Sequence, residues 1–468
     1  MSVVDILEPV LSGGIRNANF FNGRLLAAED LTDFQTANAQ QHQQLARAVG
    51  DGVAYGLEVS ASASSSSTST QAVLRVTQGL AFNRNGQAVA LPSDVELSLV
   101  PTADALNADA GLFAVCQPPQ ATVLTNPGLY VLTITPVSGF STESAPKTDV
   151  FNEGVASTCG SRWIVEGAQF RTVQLDFGTN PDPSTLAGQT EQIAANVKSL
   201  LAQLAVASGA AADNLKAQIA PLMSKLRNCA AHLCFGTEKL AGFPANPFGR
   251  TNGDSRFAEY GAIDQLRDTG NLTDCDVPLA LLYWTPSGLQ FIDMWSVRRP
   301  VFPQAVSAAW APLAGRRRAV EGLAMFLQFQ GQIAGLIKAI KSASTLASVT
   351  AEDYFRYLPA AGLIPLGNIN PFAGLDYLKF FSRRTHRNPE FMEGARLLHL
   401  IQRSFQIPAI DLNNQEMLWL YQVRENQQAF DNTKTNPPGL YLAFSNGHIP
   451  FQADAQYDLN YWNYANFV

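Results

Sequence analysis

The sequence predicts an α+β fold with three parts: an amino-terminal β-sandwich with an entry helix, a central helical bundle with an inserted β hairpin, and a small mixed carboxyl-terminal domain. Short apolar segments separated by Gly, Pro and Asn-Gly turns fill residues 1–180. Ala- and Leu-rich segments with helical spacing dominate residues 185–345, and prolines interrupt an aromatic-rich stretch over residues 346–468. A chain of 468 residues exceeds what one hydrophobic core usually supports, so we expect more than one domain. We place the domain boundaries where the sequence pattern changes.

The first helix is predicted to begin near Ala28, where two acidic residues favour the positive end of a helix, and to stop at Gly50. Short β segments follow, and the pair around Asn85-Gly86 is the clearest hairpin signal in the chain. The Ser-, Ala- and Thr-rich stretch over residues 60–70 cannot bury apolar area, so we expect a long mobile hairpin loop there.

A proline-rich boundary at residues 180–184 introduces the central part. An antiparallel helix pair is predicted over residues 185–207 and 211–233, followed by a β hairpin over residues 277–297 and a helix over residues 316–340. From about residue 350, prolines at positions 359, 365, 371, 389 and 408 limit the chain to short helices and turns.

Composition and charge exclude several classes of protein. A net charge of -7 argues against a general nucleic-acid binder, which needs a basic surface. Residues 1–9 carry acids and lack the basic start of a secretion signal, and glutamine and glutamate interrupt the most apolar helical stretch, residues 319–340, so no membrane span is predicted. Five cysteines, an odd number, do not resemble a disulfide framework, and we expect folding in the cytoplasm of a bacterium.

A run of Cys229, His232 and Cys234 resembles half of a zinc site, to which Cys275 is a candidate fourth ligand. The alternative is that these residues end a helix, where cysteine behaves as a small buried apolar group. We favour this structural interpretation, because a closed zinc site needs four converging ligands.

Asp293 is a lone acid in an apolar strand, and it is a candidate nucleophile or general base of an unrecognised hydrolase, as is Glu321. A buried carboxylate is more often paired with a base, and Arg298 and Arg299 follow closely. We therefore favour an ion pair over catalysis.

Two arginine clusters, residues 316–318 and residues 383–387 around His386, are candidates for gripping phosphate or an acidic partner. The alternative, a solvated surface, is favoured because such short clusters are common and bind weakly alone. The sequence contains no phosphate-binding loop, dinucleotide fingerprint or nucleophile elbow, so we predict neither a cofactor nor an enzyme.

Protein assembly is the use that we expect for the apolar helix faces and for the segment around Asn22-Gly23. The expected assembly residues at the amino terminus are Phe20, Phe21, Arg24, Leu31 and Phe34, and those on later helices are Leu200, Leu204, Leu323, Leu327 and Ile333. The apolar faces are extensive enough to be shared between copies of a homo-oligomer. Burial within a single protomer remains the alternative for each helix residue.

Three passages resemble known proteins. The run from Asn19 to Leu26, followed by Glu29-Asp30-Leu31, resembles the opening of a subunit family encoded beside extracellular contractile injection systems, which are phage-tail-like. Residues 79–82 before Asn85-Gly86 resemble the next hairpin of that family, and the order of parts is similar to TssK, the trimeric baseplate subunit of type VI secretion. The resemblance implies a structural subunit of a baseplate, associated with other baseplate and tail subunits.

The leading hypothesis is therefore a non-enzymatic structural subunit in the baseplate, fibre, cage or membrane-docking region of a contractile injection system. We expect a homo-oligomer, three copies being favoured, with no nucleic-acid partner and with indirect membrane attachment as an open option. One alternative is a tail-associated glycan- or target-binding module, which would use the aromatic side chains of Trp295, Trp310, Trp419, Tyr461 and Trp462. The other alternative is the hydrolase described above.

Overall fold

Helices and antiparallel sheets both build the protein, which confirms the predicted α+β class. The computed structural model describes residues 14–23, 25–62, 73–99, 124, 126–140, 144–147, 158–161, 163–176, 181–240, 261–303, 316–340, 348–365, 377–382, 384–385, 389–414, 416–424, 441–447 and 449. The helices are α1 (Ala28–Val49), α2 (Leu186–Val206), α3 (Gly209–Phe235), α4 (Thr237–Leu240), α5 (Ala262–Asp268), α6 (Arg316–Ala339), α7 (Ala351–Tyr354), α8 (Tyr377–Phe380) and α9 (Gly394–Ser404).

The strands form several separate sheets. They are β1 (Gly52–Gly56), β2 (Val59–Ala61), β3 (Val73–Val76), β4 (Gly79–Phe82), β5 (Ala88–Leu91), β6 (Val95–Ser98), β7 (Gly128–Phe140), β8 (Ser144–Lys147), β9 (Thr158–Ser161), β10 (Ile164–Gln174), β11 (Val277–Thr285), β12 (Gly288–Asp293), β13 (Tyr357–Leu358), β14 (Ala361–Pro365), β15 (Glu390–Glu393), β16 (Ile410–Asp411), β17 (Leu418–Arg424) and β18 (Tyr441–Asn446). The strand orders are β10-β7-β11-β12, β1-β4-β5, β2-β3-β6 and β14-β18-β17-β15, with the pairs β13-β16 and β8-β9.

The sheet β10-β7-β11-β12 is the middle layer of the amino-terminal and central parts. Successive side chains of a strand point to opposite faces, so Tyr130 and Leu132 on β7 pack with the two three-stranded sheets. Leu129 and Val131, between them, pack with α2, α3 and α5 on the other face. The sheet thus has β structure on one side and helices on the other.

The predicted hairpin over residues 277–297 forms as β11 and β12, but it does not belong to the helical bundle. β11 pairs with β7, with Val277 opposite Ile134 and Trp284 opposite Gly128. The hairpin therefore completes the amino-terminal sheet. Local periodicity indicates a hairpin, but it carries no information on a partner so distant in the sequence.

The carboxyl-terminal sheet β14-β18-β17-β15 is also covered on both faces. Phe329 and Ile333 of α6 pack with Phe355 and Phe444 on one face, and Leu400 of α9 packs on the other. The predicted boundary after residue 345 therefore separates α6 from the core that it helps to form.

Among the described helices, none combines the length and the apolar character that crossing a membrane requires. Several sequence predictions fall outside the described residues: most of the loop over residues 60–70, and the residues Arg24, Trp310, His386, Tyr461 and Trp462.

Candidate functional site

The most unusual surface of the protein is apolar and lies at its amino terminus. It consists of the exposed residues Phe20, Phe21, Leu25, Leu26, Leu31, Phe34, Leu45 and Val49, and we call it the amino-terminal surface. Phe21 is 63% exposed and Leu25 is 87% exposed. Scattered exposed apolar residues are normal, but a continuous segment of them marks an interaction site.

Helix α1 carries half of this surface, and local interactions define its ends. The backbone amide of Ala27 donates a hydrogen bond to the Asp30 carboxylate over 3.2 Å, so Asp30 helps to fix the first turn in the absence of a Ser or Thr cap. Gly50 ends the helix with a φ of 117°, and a Cβ there would lie 1.9 Å from the Phe302 carbonyl oxygen. Only glycine fits this position.

Close contacts join the carboxyl-terminal half of α1 to the rest of the protein. The Nε of Arg47 donates a hydrogen bond to the Asn85 carbonyl oxygen over 2.9 Å. The backbone at Gln43 approaches Gly86 so closely that a Cβ on Gly86 would lie 2.2 Å from the Gln43 carbonyl oxygen. The β4–β5 hairpin thus anchors the carboxyl-terminal half of α1.

The anchoring residues and the apolar stripe lie on opposite sides of α1. Each residue turns the helix by about 100°, which places Leu31, Phe34, Leu45 and Val49 within a sector of roughly 60°. Arg47 lies on the opposite side of the helix from this sector.

Ala37 is the only buried residue of this 22-residue helix. In proteins most of the stability of a helix comes from the tertiary packing of an amphipathic face rather than from intrinsic helix propensity. Packing within the protomer therefore buries little of α1 and leaves its apolar stripe exposed.

The assembly residues predicted on later helices differ from those at the amino terminus. Leu200 and Leu204 are half-buried on α2, which packs against α3. Leu323 and Leu327 are half-buried on α6. The prediction for Ile333 is wrong, because this side chain is 2% exposed and belongs to the carboxyl-terminal core.

Asp293 is the centre of a buried polar network. Its carboxylate accepts hydrogen bonds from the Nε of Arg227 over 2.6 Å, from the Gln328 amide over 3.1 Å and from the Ser296 backbone amide over 3.1 Å. The side chain is fully buried. An ion pair was expected with Arg298 or Arg299, and this partner is corrected to Arg227 on α3. The acid thus ties the end of β12 to helices α3 and α6.

The two arginines after Asp293 serve other segments. Arg298 donates to the carbonyl oxygens of Gly56 and Leu57, and Leu57 has a left-handed φ of 55°. Arg299 contacts Glu321 of α6 over 2.5 Å. Glu321, the second candidate catalytic acid, is therefore also held by a guanidinium.

A small cleft between the sandwich and the helices contains more such pairs. Its charged lining residues are Asp51, Arg84, Asp264, Arg267, Asp276, Arg299, Arg317 and Glu321. About 60 Å³ of its interior is open to water-sized molecules, which is room for a few waters. Opposite charges within hydrogen-bonding distance neutralise one another here, as Arg317 and Asp264 do at 2.5 Å.

Asp276 shows the effect of such pairing on protonation. Burial alone would raise the pKa of Asp276, but the hydrogen bonds and charge of Arg171 and the hydrogen bonds from Thr273 lower the pKa below its ordinary value. The carboxylate consequently stays ionised near neutral pH, and it holds β11 to β10 through Arg171.

The residues of the candidate half zinc site separate into different environments. Cys229 and Cys234 are buried free thiols that pack in different apolar clusters, and burial raises the pKa of each to about 12. His232 Nδ1 lies 2.7 Å from the Thr237 hydroxyl and its ring stacks on Tyr357. Burial, with the charge of a nearby arginine, lowers the pKa of His232 to about 3.

Cys275, the candidate fourth ligand, is disulfide-bonded. The described residues contain no group of three or more metal-ligating side chains placed to hold an ion.

A second exposed feature was not predicted from the sequence. β7 and β10 remain paired as far as Phe140 opposite Ile164, whereas β11 covers β7 only as far as Ile134. The end of this hairpin is therefore a two-stranded ribbon beyond the sheet, and it exposes Trp163, Ile164 and Val165. Alternation along residues 128–140 and 164–174 indicates β strands, but only the position of β11 shows where the sheet is reduced to two strands.

The tryptophans named as glycan-stacking candidates, Trp295 and Trp419, are half-buried.

Comparison of the chain with models of known protein families and with curated protein sequences gave no match in either case.

Proposed function

We propose that this chain is a structural subunit of a multi-copy protein assembly, and that it acts through protein–protein contacts made by its amino-terminal surface. The observation that carries the proposal is helix α1, which has 22 residues, an exposed apolar stripe and one buried side chain. Such a helix is typical of an element that is stabilised by a neighbouring subunit.

The buried charges support the same proposal. Asp293 and Glu321 each accept hydrogen bonds from an arginine, and each links segments that are distant in the sequence. A buried pair of this kind fixes the relative position of the elements that it joins. A rigid body with an exposed docking helix suits a subunit that positions its neighbours.

The resemblance of about the first hundred residues narrows the proposed assembly to a contractile injection system, in the baseplate or in a baseplate-associated fibre, cage or membrane-docking region. The partners proposed are other baseplate or tail subunits and further copies of this chain. Three copies per oligomer is the number that the TssK resemblance favours. In this proposal the subunit assembles in the bacterial cytoplasm and then belongs to a phage-tail-like particle.

The proposal is tested by measuring the mass of the purified protein by light scattering. The wild-type chain is expected to form an oligomer at micromolar concentration, and the double substitution Phe34→Ser and Leu45→Ser is expected to lower the number of copies in it. The matched control is Gln40→Ser, which changes an exposed polar residue outside the stripe. A wild-type monomer that also fails to bind sheath, tube and baseplate proteins would contradict the proposal.

Trp163 supports a second candidate function, the binding of a glycan or another target, because it is 53% exposed near the end of the β7–β10 ribbon. Tryptophan faces stack well on apolar faces of ligands. Glycan-array binding that is lost in Trp163→Ala but kept in Val165→Ala would favour this function, and an array without binding would remove it.

A further inference from the structure

Helix α1 has the sequence pattern of a helix–helix seam. The residues Leu31, Phe34, Asn38, Gln41, Leu45 and Ala48 follow one another at alternating spacings of three and four. This is the a/d spacing of a coiled coil, and it keeps all six side chains on one face. None of the six is buried in the protomer: five are exposed, Asn38 is partly buried, and the Phe34 ring also contacts the edge of Phe20.

The order of apolar and amide residues in the seam is the same in both directions along the helix. An apolar pair is followed by the amide pair Asn38 and Gln41 and then by a second apolar pair. When two such helices lie antiparallel, Asn38 of one faces Gln41 of the other, and Phe34 faces Leu45. Each amide then meets an amide that can donate and accept, and each apolar side chain meets an apolar one. A two-fold interface requires this self-complementarity.

The charges of α1 favour the same orientation. Glu29, Asp30 and Asp33 lie in its first two turns, and its only arginine or lysine, Arg47, lies in the last turn. A parallel pair would bring the acids of both copies together at one end, whereas an antiparallel pair separates the two acidic ends by most of the helix length. Antiparallel helices also have opposed dipoles.

The anchoring of α1 leaves room for this pairing. The β4–β5 hairpin holds α1 on the side opposite the seam and near its carboxyl end, through Arg47 and Gln43. In an antiparallel pair the two bodies lie at opposite ends and on opposite sides of the helix pair. They therefore do not compete for the same space.

We propose that α1 pairs antiparallel with α1 of a second copy of this chain through this seam. The inference rests on the proposed assembly function and adds its partner, its residues and its symmetry. Because the contact is two-fold, it links copies in even numbers: two, or six where two three-fold rings meet. The amide pair sets the register, since a buried polar residue in a seam penalises alignments that leave it without a partner.

Cysteine cross-linking tests the orientation in the full-length protein. Leu31→Cys and Ala48→Cys proteins are mixed, oxidised and compared with the parent chain, which controls for the native cysteines. An antiparallel pair gives a cross-link between the two variants, and neither variant cross-links with itself at this position. Self-cross-linking of each variant would show a parallel arrangement and would overturn the inference, while leaving the assembly function intact.

Oligomer mass and binding tests separate the remaining outcomes. Phe34→Ser is expected to weaken self-association by roughly tenfold or more, since a central aromatic side chain commonly dominates an interface. A trimer whose mass Phe34→Ser leaves unchanged would overturn the pairing and the proposed use of the amino-terminal surface, but it would leave the assembly function itself intact. A monomer that binds another baseplate protein would likewise overturn only the pairing. A monomer that binds none of them would overturn both.

Discussion

Replacement of Asp293 by alanine tests whether this acid stabilises the protein or performs chemistry. The change removes the carboxylate that accepts hydrogen bonds from Arg227, Gln328 and the Ser296 amide, and it leaves the Arg227 guanidinium without a counter-ion. Breaking a buried ion pair in this way costs about 3–5 kcal/mol. Because the Arg227 side chain is 23% exposed and regains some water, we expect a loss near the lower end, about 3 kcal/mol.

Urea unfolding followed by circular dichroism measures this loss. The matched control is Asp213→Ala, whose carboxylate is 77% exposed and faces Lys216 on the same helix, so its removal should change stability by about 0.5 kcal/mol or less. An Asp293→Ala protein as stable as the control would refute the reasoning. A stable Asp293→Asn protein that loses a hydrolase activity of the wild type would favour the catalytic alternative.

Three other predictions follow from the packing. The His232 pKa is about 3 in the folded protein and about 6.5 when unfolded, so the unfolded chain binds the extra proton between these values. The free energy of unfolding should therefore fall by about 2 kcal/mol between pH 7 and pH 5, and His232→Gln should lack this part of the fall in urea titrations at each pH. Gly362→Ala should destabilise the protein by about 1–3 kcal/mol, because the new Cβ would lie 2.5 Å from a phenylalanine ring. Gly335→Ala should stabilise the protein by about 0.5–1 kcal/mol, because this helical position has open space around it. Thermal melts that reverse this order would contradict the packing. Cys229 and Cys234 should resist alkylation at pH 8 until the protein unfolds, because burial raises their pKa values; mass spectrometry showing rapid labelling of the native protein would contradict their burial.

Local signals in the sequence were sufficient for the four longest helices and for two hairpins. The helix predicted from Ala28 to Gly50 is α1, and the hairpin predicted at Asn85-Gly86 joins β4 to β5, with Gly86 at a φ of 77°. The predicted central helix pair is α2 and α3. These elements depend on side-chain periodicity, helix termini and turn residues, all of which are encoded within a few positions of one another.

Pairing between strands that are far apart in the sequence could not be predicted from local patterns. The hairpin of β11 and β12 was predicted, but its pairing with β7 depends on a contact between strands about 150 residues apart, which no local pattern specifies. The carboxyl-terminal sheet was missed because its strands are short and lie between prolines. β15 pairs in parallel with β17, and no local pattern specifies this pairing either.

The candidate site was predicted in part. The sequence singled out Phe20, Phe21, Leu31 and Phe34 as assembly residues, and all four are exposed, while their role in assembly remains a prediction. Apolar periodicity does not distinguish a face that meets a second chain from one that meets its own core, and for this reason Ile333 was assigned wrongly.

Hydrogen exchange of the α1 amides, measured at high protein concentration and after dilution, tests the central claim most directly. If a second copy covers the exposed stripe, amides over residues 28–49 are protected at high concentration and exchange much faster after dilution, while the amides of β11 keep their protection throughout. Protection of α1 that does not change with concentration, together with a monomeric mass, would contradict the claim that this helix is stabilised by a neighbouring subunit.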